Sequence, residues 1–427
     1  MSRTLTAAEV EASLRGLSKQ MERYAELAVC KGVNIQPGQE LVITAPVERA
    51  DFVRTLVSQA YGAGAGHVTT IWSDDELARL EYRNVPLAYF EEVPSWKREQ
   101  LNSLAAMGAA FLMVRGSDPR VMSDVDPQKL VTLIRAQNTQ CAVYREGLDF
   151  GKNAWTIMGA PVEGWACAVF PERPPREALW RLWNAILAAA RADGPNPQGE
   201  WERHNATFEK NKRLLNEHAF CALRYRSANG TDFELGLNKG HVWEGGAART
   251  VGGTVFFPNM PTEEVFTSPN RNRAHGIVHS ALPLVYGSYT IEDFWLRFED
   301  GKVVDFDAKT GRDALRSIVE TDDNSCRLGE CALVSKDTPI RQSGLLFYNT
   351  LYDENASCHL ALGTGFPECI QGGVSMSRDE LMAHGVNQSG THVDFMIGSD
   401  DLDICGVTDT GEEVPVFKDG RWAWQVV

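Results

Sequence analysis

The sequence predicts an α/β N-terminal domain with a mostly parallel sheet, joined to an α+β C-terminal domain whose sheet is largely antiparallel. Two observations predict this. In the first half, short apolar runs alternate with helical stretches of ten or more residues, which demands crossover connections and parallel pairing. Beyond about residue 215 the hydrophobic period changes to two, and hairpin turns appear. The expected domains are therefore 1–215 and 216–427.

Taken in order, residues 6–30 carry Val10, Leu14, Leu17, Met21, Tyr24 and Leu27 at spacings of three and four, which predicts an amphipathic helix. Gln36-Pro37-Gly38-Gln39 is a turn by composition. Leu41-Val42-Ile43-Thr44 follows as a short buried strand, and a helix is expected from Glu48 to about Tyr61. Gly62-Ala63-Gly64-Ala65-Gly66 closes that helix and precedes the strand His67–Trp72. A dinucleotide fingerprint would instead follow a strand and open a helix, so this glycine run does not read as a phosphate loop. Another helix leads to the strand 109–114, and residues 173–218 are helical with a break at Pro195-Asn196-Pro197. Asn229-Gly230 then joins the alternating runs 221–226 and 231–235, and Asp300-Gly301 joins 294–298 to 302–306.

With 43% hydrophobic and 23% charged residues, the 427-residue chain can bury sizeable cores. No run approaches the ~18 apolar residues of a membrane span, and Met1–Glu9 lacks the apolar centre of a secretion signal. Nine scattered cysteines without a C-x-x-C pair fit reduced thiols, so a cytoplasmic location is expected. The net charge of −15 without a basic run argues against nucleic acid as partner; it suits attraction of cations or of a substrate with a free amine.

Acidic residues and histidines gather between about 261 and 394. Glu263 and Glu264 are adjacent; Glu330 follows Arg327-Leu328-Gly329; Asp353 and Glu354 precede His359; His392 and Asp394 stand two apart. On a strand, positions i and i+2 share a face, so His392 and Asp394 can address one site while Val393 and Phe395 face an apolar interior. Carboxylates with one or two imidazoles suit divalent cations, because negative oxygens are needed to bridge a pair of them. Each piece alone has a plain structural reading, a solvated turn or a hydrogen-bonded histidine.

Together these segments closely resemble the thermophilic metallo-aminopeptidase family, of the aminopeptidase T and aminopeptidase S type. The resemblance rests on PTEEVFTSP (261–269), LGECALV (328–334), GLLFYNTLYDENASCHLALG (344–363) and GVNQSGTHVDFMIG (385–398). YAELAVCKGVNIQPGQ (24–39) and APVE (45–48) add to it, so it covers almost the whole chain. It implies removal of N-terminal residues from short peptides and a C-terminal metal domain with two divalent ions, zinc, cobalt or manganese. By position the ligands would be Glu264, Glu330, Glu354, His359, His392 and Asp394, with Glu264 favoured over Glu263. The proton acceptor would be Glu264 or Glu330, and the family further implies a homodimer enclosing the active sites.

One position departs from the family pattern. After Ala361-Leu362-Gly363 the family places a catalytic tyrosine, whereas this chain has Phe366, with Tyr348 and Tyr352 as possible substitutes. Two rival readings stand beside this one: a single-iron ring-opening dioxygenase, because such enzymes share part of this scaffold, and a non-enzymatic peptide-binding protein, which Phe366 alone supports.

Overall fold

The computed structural model describes residues 6–286 and 289–424. The stretch Met1–Leu5, read above for a secretion signal, lies outside them. Contacts divide the chain into two units: Met1–Arg203 with Ala247–Thr262 and Leu345–Leu351, and His204–Gly246 with Glu263–Gly344 and Tyr352–Val427. The division thus falls at 203/204, and two short segments return to the first unit. The helix Pro197–His218 runs through that point without interruption. The change of period near 215 therefore marks where this helix gives way to strands, and the returning segments carry no compositional signal of their own.

The first unit holds a five-stranded parallel sheet. Its strands β1 (Glu40–Pro46), β2 (His67–Ser73), β3 (Ala110–Arg115) and β4 (Trp155–Gly159) lie in the order β2-β1-β3-β4, and Asn259–Met260 adds the fifth beside β4. β1 is apolar on both faces, with Leu41, Val42, Ile43 and Ala45 at 0–1% exposure, as a central parallel strand must be. Helices Ala50–Gly62, Asp75–Asn84, Ser95–Ala106 and Pro127–Gln140 fill the connections. Asp74 and Asp126 cap two of them by accepting from Leu77 and Gln128 backbone N–H groups. The amphipathic stretch expected over 6–30 is two helices, Ala7–Gly16 and Ser18–Leu27, followed by a π-helical turn Ala28–Gly32. Gly16 is a weak helix former, and the Ser18 hydroxyl donates to the Arg15 carbonyl (2.7 Å), which diverts the backbone there.

The second unit contains two antiparallel sheets. The larger has nine strands and includes both expected hairpins, Ala222–Arg226 with Asp232–Leu237 and Tyr289–Glu299 with Lys302–Thr310. The smaller has four strands in the order Val265–Thr267, Leu328–Leu333, His359–Gly363, His392–Met396. Strand periodicity gives this small sheet two different faces. Val265, Leu328, Cys331, Leu333, Leu360, Leu362, Val393 and Phe395 join the apolar core of the unit. Glu330, His359, Ala361, His392 and Asp394 alternate with them and so occupy the opposite face.

Among the described residues no helix is long and apolar enough to cross a membrane. All nine cysteines are free thiols.

Candidate metal centre

Register decides which side chains meet on the polar face of the small sheet. Glu330 pairs with Ala361, and Ala361 pairs with Asp394, so the two carboxylates flank the strand His359–Gly363 with only the Ala361 methyl group between them in the row. The ladder shifts between Leu328 and Glu330, and Gly329 sits inside that irregularity. A Cβ on Gly329 would lie 2.1 Å from the Thr364 carbonyl oxygen, so glycine alone permits the approach that aims Glu330 onto this face. Gly363 pairs with His392 at φ +110°, and a Cβ there would meet the Thr391 carbonyl at 2.1 Å.

The donors converge around Glu330. His359 Nε2 lies 3.0 Å from Glu264 Oε2 and 4.0 Å from Glu330 Oε1. His392 Nε2 lies 3.2 Å from Glu330 Oε2 and 3.1 Å from Asp394 Oδ1. Two groups of potential ligand atoms result, Glu264–Glu330–His359 and Glu330–His392–Asp394, each contained within 4.8 Å, and Glu330 belongs to both. Glu264, Glu330 and His359 are 7%, 4% and 1% exposed, so water does little to relieve their charges.

Both imidazoles are oriented by main-chain carbonyls. His359 Nδ1 donates to the carbonyls of Glu354 (3.0 Å) and Ser357 (3.1 Å), and His392 Nδ1 to that of Thr364 (2.8 Å). With the proton held on Nδ1, a neutral ring turns its Nε2 lone pair toward carboxylate lone pairs. That arrangement is stable only with something electropositive between them, a proton or a metal ion. Two atoms each ~2.1 Å from one ion at a tetrahedral angle stand roughly 3.4 Å apart, close to the separations seen here. The donor set of buried carboxylates and imidazoles fits a divalent cation.

The remaining predicted residues take different places. Glu354 belongs to neither group of three, but it shares their field: burial, then the charges of Asp394 and Glu264, push its carboxyl well above the ordinary value. The Glu263 carboxylate lies 3.6 Å from His204 Nε2, and its backbone N–H donates to Asn355 Oδ1 (2.6 Å), an arrangement that turns Glu264 toward His359. Phe366 is half-buried with its ring 5.1 Å from that of His392 and 5.4 Å from that of Phe266, so the departure from the family pattern sits against a donor imidazole. Tyr352 is wholly buried, and Tyr348 belongs to the other unit.

The electrostatics predict how the centre responds to pH. Burial pushes the Glu330 carboxyl up to about 7, the hydrogen bond from His392 opposing it. Burial alone would lower His359, yet the hydrogen bond to Glu264 and the surrounding carboxylates outweigh it and raise the ring to about 10. A cation-free centre therefore holds extra protons at neutral pH, and a cation must displace them. Cation affinity is expected to rise with pH through neutrality by up to about tenfold per unit for each proton displaced, and to fall below pH 7. Calorimetric titration in buffers of different ionisation enthalpy measures those protons; an affinity flat from pH 6 to 8 contradicts the arrangement.

The chain is similar to known proteins over nearly its whole length. The family described as thermophilic metalloprotease (M29) matches residues 17–422. The chain is 44% identical over 407 residues to aminopeptidase AmpS of Bacillus subtilis (strain 168), covering 95% of this chain and 99% of that protein. It is 41% identical over 409 residues to aminopeptidase T of Thermus aquaticus, covering 95% and 98%. Among solved structures, wild-type AmpT from Thermus thermophilus superposes with a TM-score of 0.89 at 39% identity, over 96% of this chain and 100% of that one. A 2,5-dihydroxypyridine dioxygenase from Pseudomonas putida KT2440 shares the fold alone, with a TM-score of 0.51 and 13% identity over 99% of both chains. With a match across nearly its whole length and a buried carboxylate–imidazole centre on the polar face of its small sheet, this chain belongs to the thermophilic metalloprotease (M29) family.

Proposed function

We propose that this chain is a metal-dependent aminopeptidase that removes N-terminal residues from short peptides. Two divalent cations, drawn from zinc, cobalt and manganese, would be held by Glu264, Glu330, Glu354, His359, His392 and Asp394. The observation that carries this reading is the pair of donor groups with Glu330 in common, since one carboxylate offering an oxygen to each side is what a two-ion centre requires. When bound, such ions acidify a water and polarise a carbonyl, the two effects an unreactive amide needs.

The chain's own residues supply the rest. The main-chain carbonyls hold both imidazoles in one tautomer, leaving Nε2 as the ligand atom. Glu330 and Glu264, the two carboxylates beside His359, are the groups proposed to accept the water's proton. The free amine of a peptide is drawn toward a site rich in carboxylates, and the net charge of −15 extends that preference over the surface. The reading extends to a cytoplasmic homodimer with neither nucleic acid nor membrane as partner; the nine free thiols and the acidic charge support a reducing compartment and argue against phosphate.

The test is a dipeptide panel incubated with the purified protein after addition of Zn²⁺, Co²⁺ or Mn²⁺, with bound metal counted in parallel. Release of the N-terminal amino acid, dependent on added ion and abolished by a chelator, is expected. One iron per chain with no peptide cleavage would instead select the ring-opening oxygenase, and tight peptide binding without turnover under any ion would select a binding protein.

A further inference from the structure

The parallel sheet of the first unit has its own cleft. In the order β2-β1-β3-β4, the chain leaves β1 toward β2 on one side, and β3 and β4 lie on the other. In open parallel sheets, ligands bind outside the carboxyl ends of the strands, where the winding direction reverses. A cleft of about 590 Å³ lies at that place, lined by residues that follow each of the four strands: Glu48 and Arg49 after β1, Asp75 after β2, Asp118 after β3 and Glu163 after β4. Its volume falls in the range of small-molecule sites.

The charges within it specify a ligand. Five carboxylates and three guanidiniums line the cleft, an acidic balance that disfavours a polyphosphate. Two of the guanidiniums are engaged: Arg79 bonds Asp124 through Nε (2.8 Å) and an Nη (2.6 Å), and Arg120 bonds Asp118 through Nε (3.0 Å) and an Nη (3.2 Å). Arg49 differs. Its side chain is only 13% exposed, yet just Nε is occupied, donating to the Glu48 carbonyl (2.7 Å) and standing 3.9 Å from Asp51. Its two terminal nitrogens have no acceptor among the described residues, which leaves the forked edge that grips a carboxylate available. On the acidic side, the Glu48 carboxylate has no cationic partner among the described residues. Asp75 receives a hydrogen bond from Ser117 (2.6 Å) while burial still raises its carboxyl, a penalty that a cation placed beside it would remove.

We propose that this cleft is a second binding site of the chain, for a small zwitterion whose carboxylate lies on Arg49 and whose ammonium lies between Asp75 and Glu48. Amino acids and dipeptides have this chemistry. The proposal rests on the cleft's own charges and holds whether or not the second unit cleaves peptides.

Calorimetry on the full chain carrying His359→Ala, which silences the metal centre, separates the two sites. L-alanine and L-alanyl-L-alanine are the probes, with N-acetyl-L-alanine and L-alaninamide as single-charge arms and inorganic phosphate as the purely anionic arm. Saturable binding of at least one zwitterion is expected. Adding Arg49→Gln should weaken it about 10- to 100-fold, the worth of a charge-assisted hydrogen bond, and Asp75→Asn should weaken the zwitterion and L-alaninamide but not N-acetyl-L-alanine. Arg49→Lys, which keeps the charge, should restore part of the loss and exclude misfolding as its cause. No saturable binding of either zwitterion overturns the proposal, as does binding indifferent to Arg49→Gln. Phosphate binding tighter than both zwitterions also overturns it, in favour of an anion site.

Discussion

Glu330→Ala is expected to lower hydrolysis of leucine p-nitroanilide by more than about 10³-fold and to strip the protein of bound cation, because the lost carboxylate serves both donor groups at once. The fold should survive. In the cation-free state Glu330 is a buried acid repelled by Glu264 and Asp394, so its removal relieves charge even as it leaves a small cavity beside Ala361. His359→Ala should lose activity to a similar extent. Measurement of turnover, metal content and melting temperature on the same preparations separates loss of chemistry from loss of structure; undiminished turnover in either variant refutes the assignment.

Phe366→Tyr is expected to act in the opposite direction, raising kcat by about 10²-fold, the low end of what one hydrogen-bond donor to a tetrahedral intermediate is worth. The position is suitable because the ring already lies 5.1 Å from that of His392, and its backbone N–H is fixed by Ser268 Oγ at 2.8 Å. A hydroxyl added to a ring so placed needs no new backbone path. The gain should appear in kcat with little change in KM, since the interaction forms in the transition state and not with bound peptide. An unchanged or lower kcat would mean that the phenyl ring here only packs.

How much of this was legible in the sequence differs between fold and site. The strands β1 and β3 were readable as compact apolar runs bounded by turn residues, and β2 as a run rich in β-branched residues after the glycine turn 62–66. The hairpins were readable because Asn-Gly and Asp-Gly accept the positive φ that tight connections need; Asp300 and Gly301 stand at φ 47° and 79°. β4 and the fifth strand Asn259–Met260 were not readable. Trp155–Gly159 is too short to display a period, and a two-residue strand displays none, though it extends the sheet of a unit whose bulk lies far earlier in the chain. In the site, the two-residue spacing of His392 and Asp394 was visible, and so was the apolar alternation of Val393 and Phe395. That Glu330 stands between two imidazoles was not, because it depends on the register of three strands contributed by segments up to 60 residues apart. Nor could any spacing reveal the carbonyls of Glu354, Ser357 and Thr364, since a main-chain acceptor is present at every residue.

The common membership of Glu330 in both donor groups also bears on how the centre fills. In the proposed two-ion centre, a carboxylate already drawn to one cation would be deprotonated and held in place, so a second cation would meet an ordered ligand, while the two like charges would oppose each other across it. Occupancy of one position would then alter affinity at the other, and by the same factor in either order. Stepwise loading curves would carry the sign of that interdependence: successive constants drawn together if pre-ordering dominates, and spread apart if repulsion does.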